Sequence, residues 1–359
     1  MNASVYVIAE AGVNHDGSSR NALRLVDAAA EAGADCVKFQ IFCAEALASP
    51  AAQKADYQKA KTGAAESQQA MLKRLQLPLE TYPQLIKRAR ERGIEFLATP
   101  FDPPSLAFLL NELDATRIKV GSGDLTNSPM LLEIARSRRD VILSTGMATL
   151  DEVEQALSVL AYGYARFPEP PSEANFAGAW CDPAIRNALK GKVVLLHCTT
   201  EYPAPANAAN LRAINTLAEA FGLPVGYSDH ILGIEVALAA VARGAVIIEK
   251  HLTLDCSSGG PDHDASLDPR AFAELVKSIR LVEAALGDGR KVPQAPEMKN
   301  ISVTRKSLVA ARAIAKGETF SYENIAIKRP AEGLCPAKFW SVIGRIASRS
   351  YESDEPISQ

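Results

Sequence analysis

Two of the five histidines in this 359-residue chain, His230 and His251, stand 21 positions apart, each just after a short apolar run, LPVGYS and AVIIEK. Neighbouring parallel strands lie about 4.8 Å apart, so side chains at their matching ends can converge on one ion. Imidazole suits Zn, Mn, Fe or Co, and two histidines with oxygen ligands leave open positions for a substrate. Either histidine alone would cap a helix or bond backbone. The pair, with acidic Glu10 and Asp262 available, favours a metal site.

Lys38 and Lys119 raise a second question, because each also ends an apolar run. A buried lysine is costly unless paired, and at such a place its natural partner is an anion. With hydroxyls from Thr99, Ser122, Ser144 and Ser228 the lysines would form a pocket for phosphate plus carboxylate. Schiff-base chemistry is the alternative role for such a lysine. No glycine-rich nucleotide loop is present, and GSGD at 121–124 is too short to be one. In GPDHDAS (260–266) Asp262 is the acid/base candidate and His263 is expected to face solvent. In AGVNHDGS (11–18) His15 is a weaker ligand than the pair, and His197, inside an apolar strand, is expected to bond backbone.

The elements that must position these groups follow from hydrophobic patterning. Eight runs read as strands: 4–10, 35–42, 94–100, 117–122, 140–145, 192–199, 223–228 and 245–250. Amphipathic helical stretches such as NALRLVDAAAEAG and LETYPQLIKRARERG separate them. Apolar strands alternating with such helices indicate a parallel sheet, and eight units fit a (β/α)8 TIM barrel, with a doubly wound open sheet as the competitor. In a barrel, function sits at the C-terminal ends of the strands, where Glu10, Lys38, Gln40, Thr99, Lys119, Ser144, Thr200, Tyr202, Glu249 and both histidines fall.

Two segments break the rhythm: 44–78, expected to lie over one barrel mouth, and 164–190, an insertion before the sixth strand. The expected division is a catalytic barrel at 1–286, a polar, proline-containing linker at 287–300 and a small, mostly β domain with little helix at 301–359. A net charge of −3 gives no reason to expect nucleic-acid binding. No apolar stretch approaches the roughly 20 residues of a membrane span, and MNASVYVIAEAG lacks the basic region and long apolar run expected of a signal peptide. The six cysteines form no CxxC pair and are expected to stay reduced, so the expected location is cytoplasmic.

Taken together, IAEAGVNHDGS, VKFQ, TPFD, KVGSGDLTN, LSTGM, HCTTEYPAP, GYSDH, IEKHLTLD and GPDHDAS, in this order between residues 8 and 266, resemble the sialic acid (nonulosonic acid) synthase family. The tail SLVAARAIAKGETFSYENIAIKRPAEG resembles that family's antifreeze-like (SAF) domain. The resemblance implies an enzyme that condenses phosphoenolpyruvate with an open-chain N-acetylated amino sugar, giving a nine-carbon α-keto acid and phosphate by C–O cleavage. It implies that His230 and His251 bind a divalent cation, manganese foremost, with magnesium or cobalt as substitutes. Lys38, Thr99, Lys119, Ser122, Ser144 and Ser228 resemble the phosphoenolpyruvate ligands. Glu10, Gln40, Tyr202 and Asp262 are similar to the sugar and acid/base residues. Arg329 of KRP matches an arginine that, in the family, crosses a domain-swapped homodimer to the sugar's acylamino group.

The chain departs from the family pattern at three places. Thr200 replaces an asparagine linked to phosphate contact, Asp124 stands where several members have glutamate, and KRPAEG replaces KRPG. TTEYPAP and the 164–190 insertion resemble synthases of N,N'-diacetyllegionaminic acid, whose substrate is 2,4-diacetamido-2,4,6-trideoxymannose; N-acetylmannosamine, giving N-acetylneuraminate, is the alternative. A synthase using an aldose phosphate would need extra basic residues, and a non-catalytic carbohydrate-binding barrel would have lost the histidines or lysines.

Overall fold

The computed structural model describes residues 4–62 and 66–358. They form two compact units divided after Gly287.

The first unit contains β1 (Tyr6–Gly12), β2 (Cys36–Ile41), β3 (Glu95–Pro100), β4 (Arg117–Val120), β5 (Asp140–Ser144), β6 (Val193–Cys198), β7 (Val225–Asp229) and β8 (Ile247–His251). Each strand end falls within two residues of the sequence expectation. The strands form one parallel sheet in the order β3-β2-β1-β8-β7-β6-β5-β4. With β4 packed beside β3, the sheet curls into a TIM barrel and the doubly wound alternative is excluded. Outward-facing Val7, Ala9, Val37, Phe39 and Ile248 meet a ring of helices. The helix Ser19–Glu31 shows how these helices form: Ser18 Oγ accepts the Asn21 N–H at its start, and Ala22, Leu25, Val26 and Ala29 recur at helical spacing on its buried face. Burying one such leucine contributes about 1.5–3 kcal/mol, and Leu25→Ala would cost about 2–5 kcal/mol.

Because side chains alternate along a strand, every second residue points into the barrel, and the interior is layered. At the N-terminal end Tyr6 bonds Glu95, and Arg117 Nη1 lies 3.3 Å from the same carboxylate. Ile8, Cys36, Leu97, Ile142, Leu196 and Ile247 make a dry layer above. Gly226 permits its closure, since a Cβ there would lie 2.6 Å from both the Ile247 carbonyl oxygen and Leu196 Cδ2. One step further toward the C-terminal ends, the same alternation places Glu10, Lys38, Thr99, Lys119, Ser144, Ser228 and Glu249.

The 44–78 segment contains the helices Ala44–Leu47, Asp56–Thr62 and Gln68–Leu75, and it borders the mouth as expected. The 164–190 segment adds the helices Glu173–Cys181 and Pro183–Arg186. It packs outside the barrel, with Phe176 edge-on to Tyr162 at 5.0 Å. Since it leads from the helix Leu150–Ala165 back to the start of β6, it occupies the N-terminal face, opposite the strand tips.

In the second unit β9 (Ser307–Ala310) pairs antiparallel with β10 (Ile325–Lys328) over a core of Leu308, Ile314, Phe320, Tyr351 and Ile357. The stretch expected as linker, 287–300, ends in a helix, Ala295–Thr304, that runs on into the expected second domain. Pro296 sits in the first turn and Glu297 accepts the Gln294 N–H at 2.7 Å, and both features favour a helix start.

Candidate active site

Adjacent strand tips bring the charged layer together. Lys38 Nζ lies 2.7 Å from Glu10 and 3.5 Å from Glu249, and it donates to Thr99 Oγ1 at 3.3 Å. Lys119 Nζ donates to Ser144 Oγ at 2.7 Å and lies 3.7 Å from Glu249. Ser228 Oγ donates to Glu249 at 2.7 Å, and Gln40 Nε2 to Glu10 at 3.3 Å. Burial opposes charge on Glu249, but Lys119 and Lys38 outweigh it and hold the carboxyl low. Burial drives Glu10 above its ordinary range against the pull of Lys38, and Glu249 adds to the rise. Burial, too, lowers Lys119, which Glu249 only partly offsets. Two ammonium groups held against carboxylates and hydroxyls form a preassembled seat for a multivalent anion.

Above this layer, Gly146 N–H donates to Ser122 Oγ at 3.0 Å, and Ser122 Oγ lies 3.2 Å from Cys198 Sγ. A Cβ on Gly146 would fall 2.5 Å from Thr200 Oγ1, 2.8 Å from Ser122 Oγ and 2.9 Å from Cys198 Sγ. The glycine therefore keeps open a cradle of polar atoms, one of which, Thr200 Oγ1, is buried without a hydrogen-bond partner.

At the tips of β7 and β8, next to Ser228 and Glu249, the rings of His230 and His251 lie 5.5 Å apart, with Tyr202 4.1 Å from the former. His230 Nδ1 lies 2.6 Å from the Thr199 carbonyl, which only accepts, so that nitrogen carries the proton and Nε2 keeps its lone pair. His251 Nδ1 is buried without a hydrogen-bond partner, 4.0 Å from Asp262. Burial lowers His230 to about 4 and His251 well below its ordinary value, so both are neutral at pH 7. Burial, reinforced by Glu10, raises Asp262 to about 7. Two neutral imidazoles, one with an unpartnered nitrogen, fit a divalent cation. Among the described residues no third His, Cys, Asp or Glu completes a protein ligand set, so a cation held there would take its remaining ligands from water or substrate oxygen.

Of the barrel residues that the sequence assigns to catalysis, substrate or metal, all but Asp124 line one cavity of about 380 Å³. Asp124 instead accepts from Asn127 Nδ2 at 3.0 Å on the turn after β4. Arg329 lies exposed just after β10 in the second unit. His197 Nε2 is 2.7 Å from the Ala209 carbonyl, the backbone bond expected of it. His15 stacks on Phe39, outside the cavity lining. His263 does not face solvent. It is buried between Thr253 Oγ1 at 2.6 Å and Asp16 Oδ1 at 3.1 Å, bracing the loop that carries Asp262.

Sequence reasoning noted Glu249 at its strand end but gave it no role. The signal was its place two residues before His251, on the same face of β8. Gly146 carried no signal, because its need arises only where three loops meet.

The NeuB family matches residues 25–291 and the SAF domain residues 305–359. An N,N'-diacetyllegionaminic acid synthase of Campylobacter jejuni is 46% identical, with 98% of each chain covered. One from Legionella pneumophila is 42% identical, over 94% of this chain and 89% of its own. Among solved structures, the N-acetylneuraminic acid (sialic acid) synthetase of Leptospira borgpetersenii, crystallised with citrate, aligns with a TM-score of 0.66 at 35% identity, covering 84% of this chain and 91% of that one.

Proposed function

Since this chain belongs to the NeuB family, we propose that it is a nonulosonic acid synthase, joining phosphoenolpyruvate to an open-chain N-acetylated amino sugar. The observation that carries the reading is that the buried seat of Lys38 and Lys119 and the neutral His230–His251 pair line one cavity. C3 of phosphoenolpyruvate bonds to the aldehyde carbon, water adds to C2, and the C2–O bond breaks to release phosphate. Lys38 and Lys119, with Thr99, Ser144 and the Ser122–Gly146 cradle, hold the phosphate and carboxylate. Asp262, at about 7, is poised to exchange a proton near neutral pH. Glu10 and Gln40 orient the sugar beside it, and Tyr202 lies tilted against the His230 ring at 4.1 Å.

His230 and His251 would hold a divalent cation, manganese first, which supplies Lewis-acid polarisation of the aldehyde. The preferred sugar is 2,4-diacetamido-2,4,6-trideoxymannose, giving N,N'-diacetyllegionaminate, in line with the names of the two relatives at 46% and 42% identity. The name of the Leptospira relative, an N-acetylneuraminic acid synthetase, supports N-acetylmannosamine as the alternative substrate. The barrel's own lining, among described residues, has no arginine and no lysine beyond Lys38 and Lys119, which argues against an aldose phosphate. The proposal includes a homodimer in which exposed Arg329 serves the neighbouring copy's sugar. It also includes a cytoplasmic setting, supported by six unpaired thiols; no described helix is long and apolar enough to cross a membrane. His251→Ala should abolish metal-dependent phosphate release. Full activity of that variant in the presence of chelator would overturn the metal assignment.

A further inference from the structure

A sugar whose aldehyde reacts beside His230, His251 and Asp262 must run outward through the mouth, so its far carbons meet whatever lines that opening. The segment between β2 and β3 lines it with Phe42, Leu47, Met71, Leu72 and Leu75, and Phe101 after β3 continues the same surface. Phe42, Met71 and Leu75 are buried together, and half-buried Leu47, Leu72 and Phe101 pack on them. In the helix Gln68–Leu75 the apolar face turns inward, while its charges turn away: Lys73 pairs with Glu45 at 3.0 Å and Arg74 with Glu66 at 3.6 Å. Among the described residues this segment offers the cavity no charged side chain, only the amides of Gln58 and Gln68. Lys61 bonds Asp264 in the loop after β8, tying the wall to the loop that carries Asp262.

Hydrocarbon is a poor match for the hydroxymethyl end of an ordinary hexose and a good one for a methyl group. We propose that Leu47, Leu72 and Phe101 are specificity-determining residues that select a 6-deoxy sugar, packing on its C6 methyl while Gln68 serves an acetamido group. This rests on the condensation reading above. An apolar pocket rejects an added hydroxyl by on the order of 100-fold at most.

The test compares kcat/KM for 2,4-diacetamido-2,4,6-trideoxymannose with that for its 6-hydroxy counterpart, which differs by one oxygen. Wild-type protein should favour the 6-deoxy sugar by about 10- to 100-fold. Leu72→Asn and Leu47→Asn, on separate helices, should each cut that ratio about tenfold, mainly through the sugar KM, with the phosphoenolpyruvate KM moving less than about twofold; Leu72→Met should retain the ratio. A wild-type ratio near unity, or an unchanged ratio in a folded, active asparagine variant, would overturn the inference while leaving the condensation intact. No phosphate release from wild type with either sugar would instead remove the condensation reading, and the inference with it.

Discussion

Replacing Gly146 with alanine adds a single methyl group at the point where the loops after β4, β5 and β6 meet. Gly146 does not need a left-handed backbone, so the perturbation is the Cβ alone, at 2.5 Å from Thr200 Oγ1, 2.8 Å from Ser122 Oγ and 2.9 Å from Cys198 Sγ. Such contacts are too short to persist, and overpacking of this kind costs about 1–3 kcal/mol. The protein should therefore fold with its Tm lowered by a few degrees. The larger effect should fall on the anion. Displacing the Ser122 hydroxyl from its bond to Gly146 N–H spoils at least one hydrogen bond to a charged group, worth about 1.5–3 kcal/mol. Since about 1.4 kcal/mol is a factor of ten, the KM for phosphoenolpyruvate should rise roughly 10- to 100-fold, with the sugar KM changed much less. Steady-state phosphate release, varying each substrate in turn, reads both constants, and thermal unfolding reads the fold. A folded Gly146→Ala protein whose phosphoenolpyruvate KM stays within about twofold of wild type would show that the cradle is not the anion seat.

Arg329→Ala should raise the sugar KM well above any change in the phosphoenolpyruvate KM, and equal changes would contradict its assignment to the sugar; sedimentation velocity would report the dimer alongside. Lys250 and Asp229 form a buried pair at 2.8 Å on the helix-facing side of β7 and β8. Lys250→Met should cost about 3–5 kcal/mol in urea unfolding, and Lys250→Met with Asp229→Leu should recover most of it; a destabilised double variant equal to the single would refute the pairing argument. Burial lowers His15 and His230 from 6.5 to about 4 and raises Asp262 from 3.8 to about 7, so on acidification of metal-free protein the two histidines weaken the folded state while Asp262 opposes them. Asp262→Asn removes the opposing group, and its unfolding free energy should fall more steeply than that of wild type between about pH 7 and 5. Parallel curves for the two proteins would contradict it.

The barrel was legible because parallel strands buried on both faces are apolar along their length, and their tips are where the run turns polar. Lys38, Lys119, His230 and His251 were found by that change alone. Glu249 was undervalued because IIEKH reads as one apolar strand with a charged end; only the alternation along β8 separates Glu249 and His251, facing the cavity, from Lys250, facing the helices. Asp124 sits in the right motif but bonds Asn127 at 3.0 Å, a local turn bond that motif reading does not resolve. His263 was misjudged because its burial depends on Asp16, 247 positions away in the chain. The 164–190 insertion resembles, alongside TTEYPAP, the synthases of N,N'-diacetyllegionaminic acid. Its place at the N-terminal face, away from the cavity, removes it as a direct contact. The wall of Leu47, Leu72 and Phe101 takes over that question.

The central claim is that C–C bond formation here ends in C–O cleavage of phosphoenolpyruvate. The direct measurement uses phosphoenolpyruvate labelled with 18O in the bridging C2–O–P position, incubated with manganese-loaded protein and 2,4-diacetamido-2,4,6-trideoxymannose. The account predicts that the label leaves in inorganic phosphate while a nine-carbon α-keto acid accumulates in equal amount. Label retained in the organic product, or phosphate released with no nine-carbon acid formed, would contradict it.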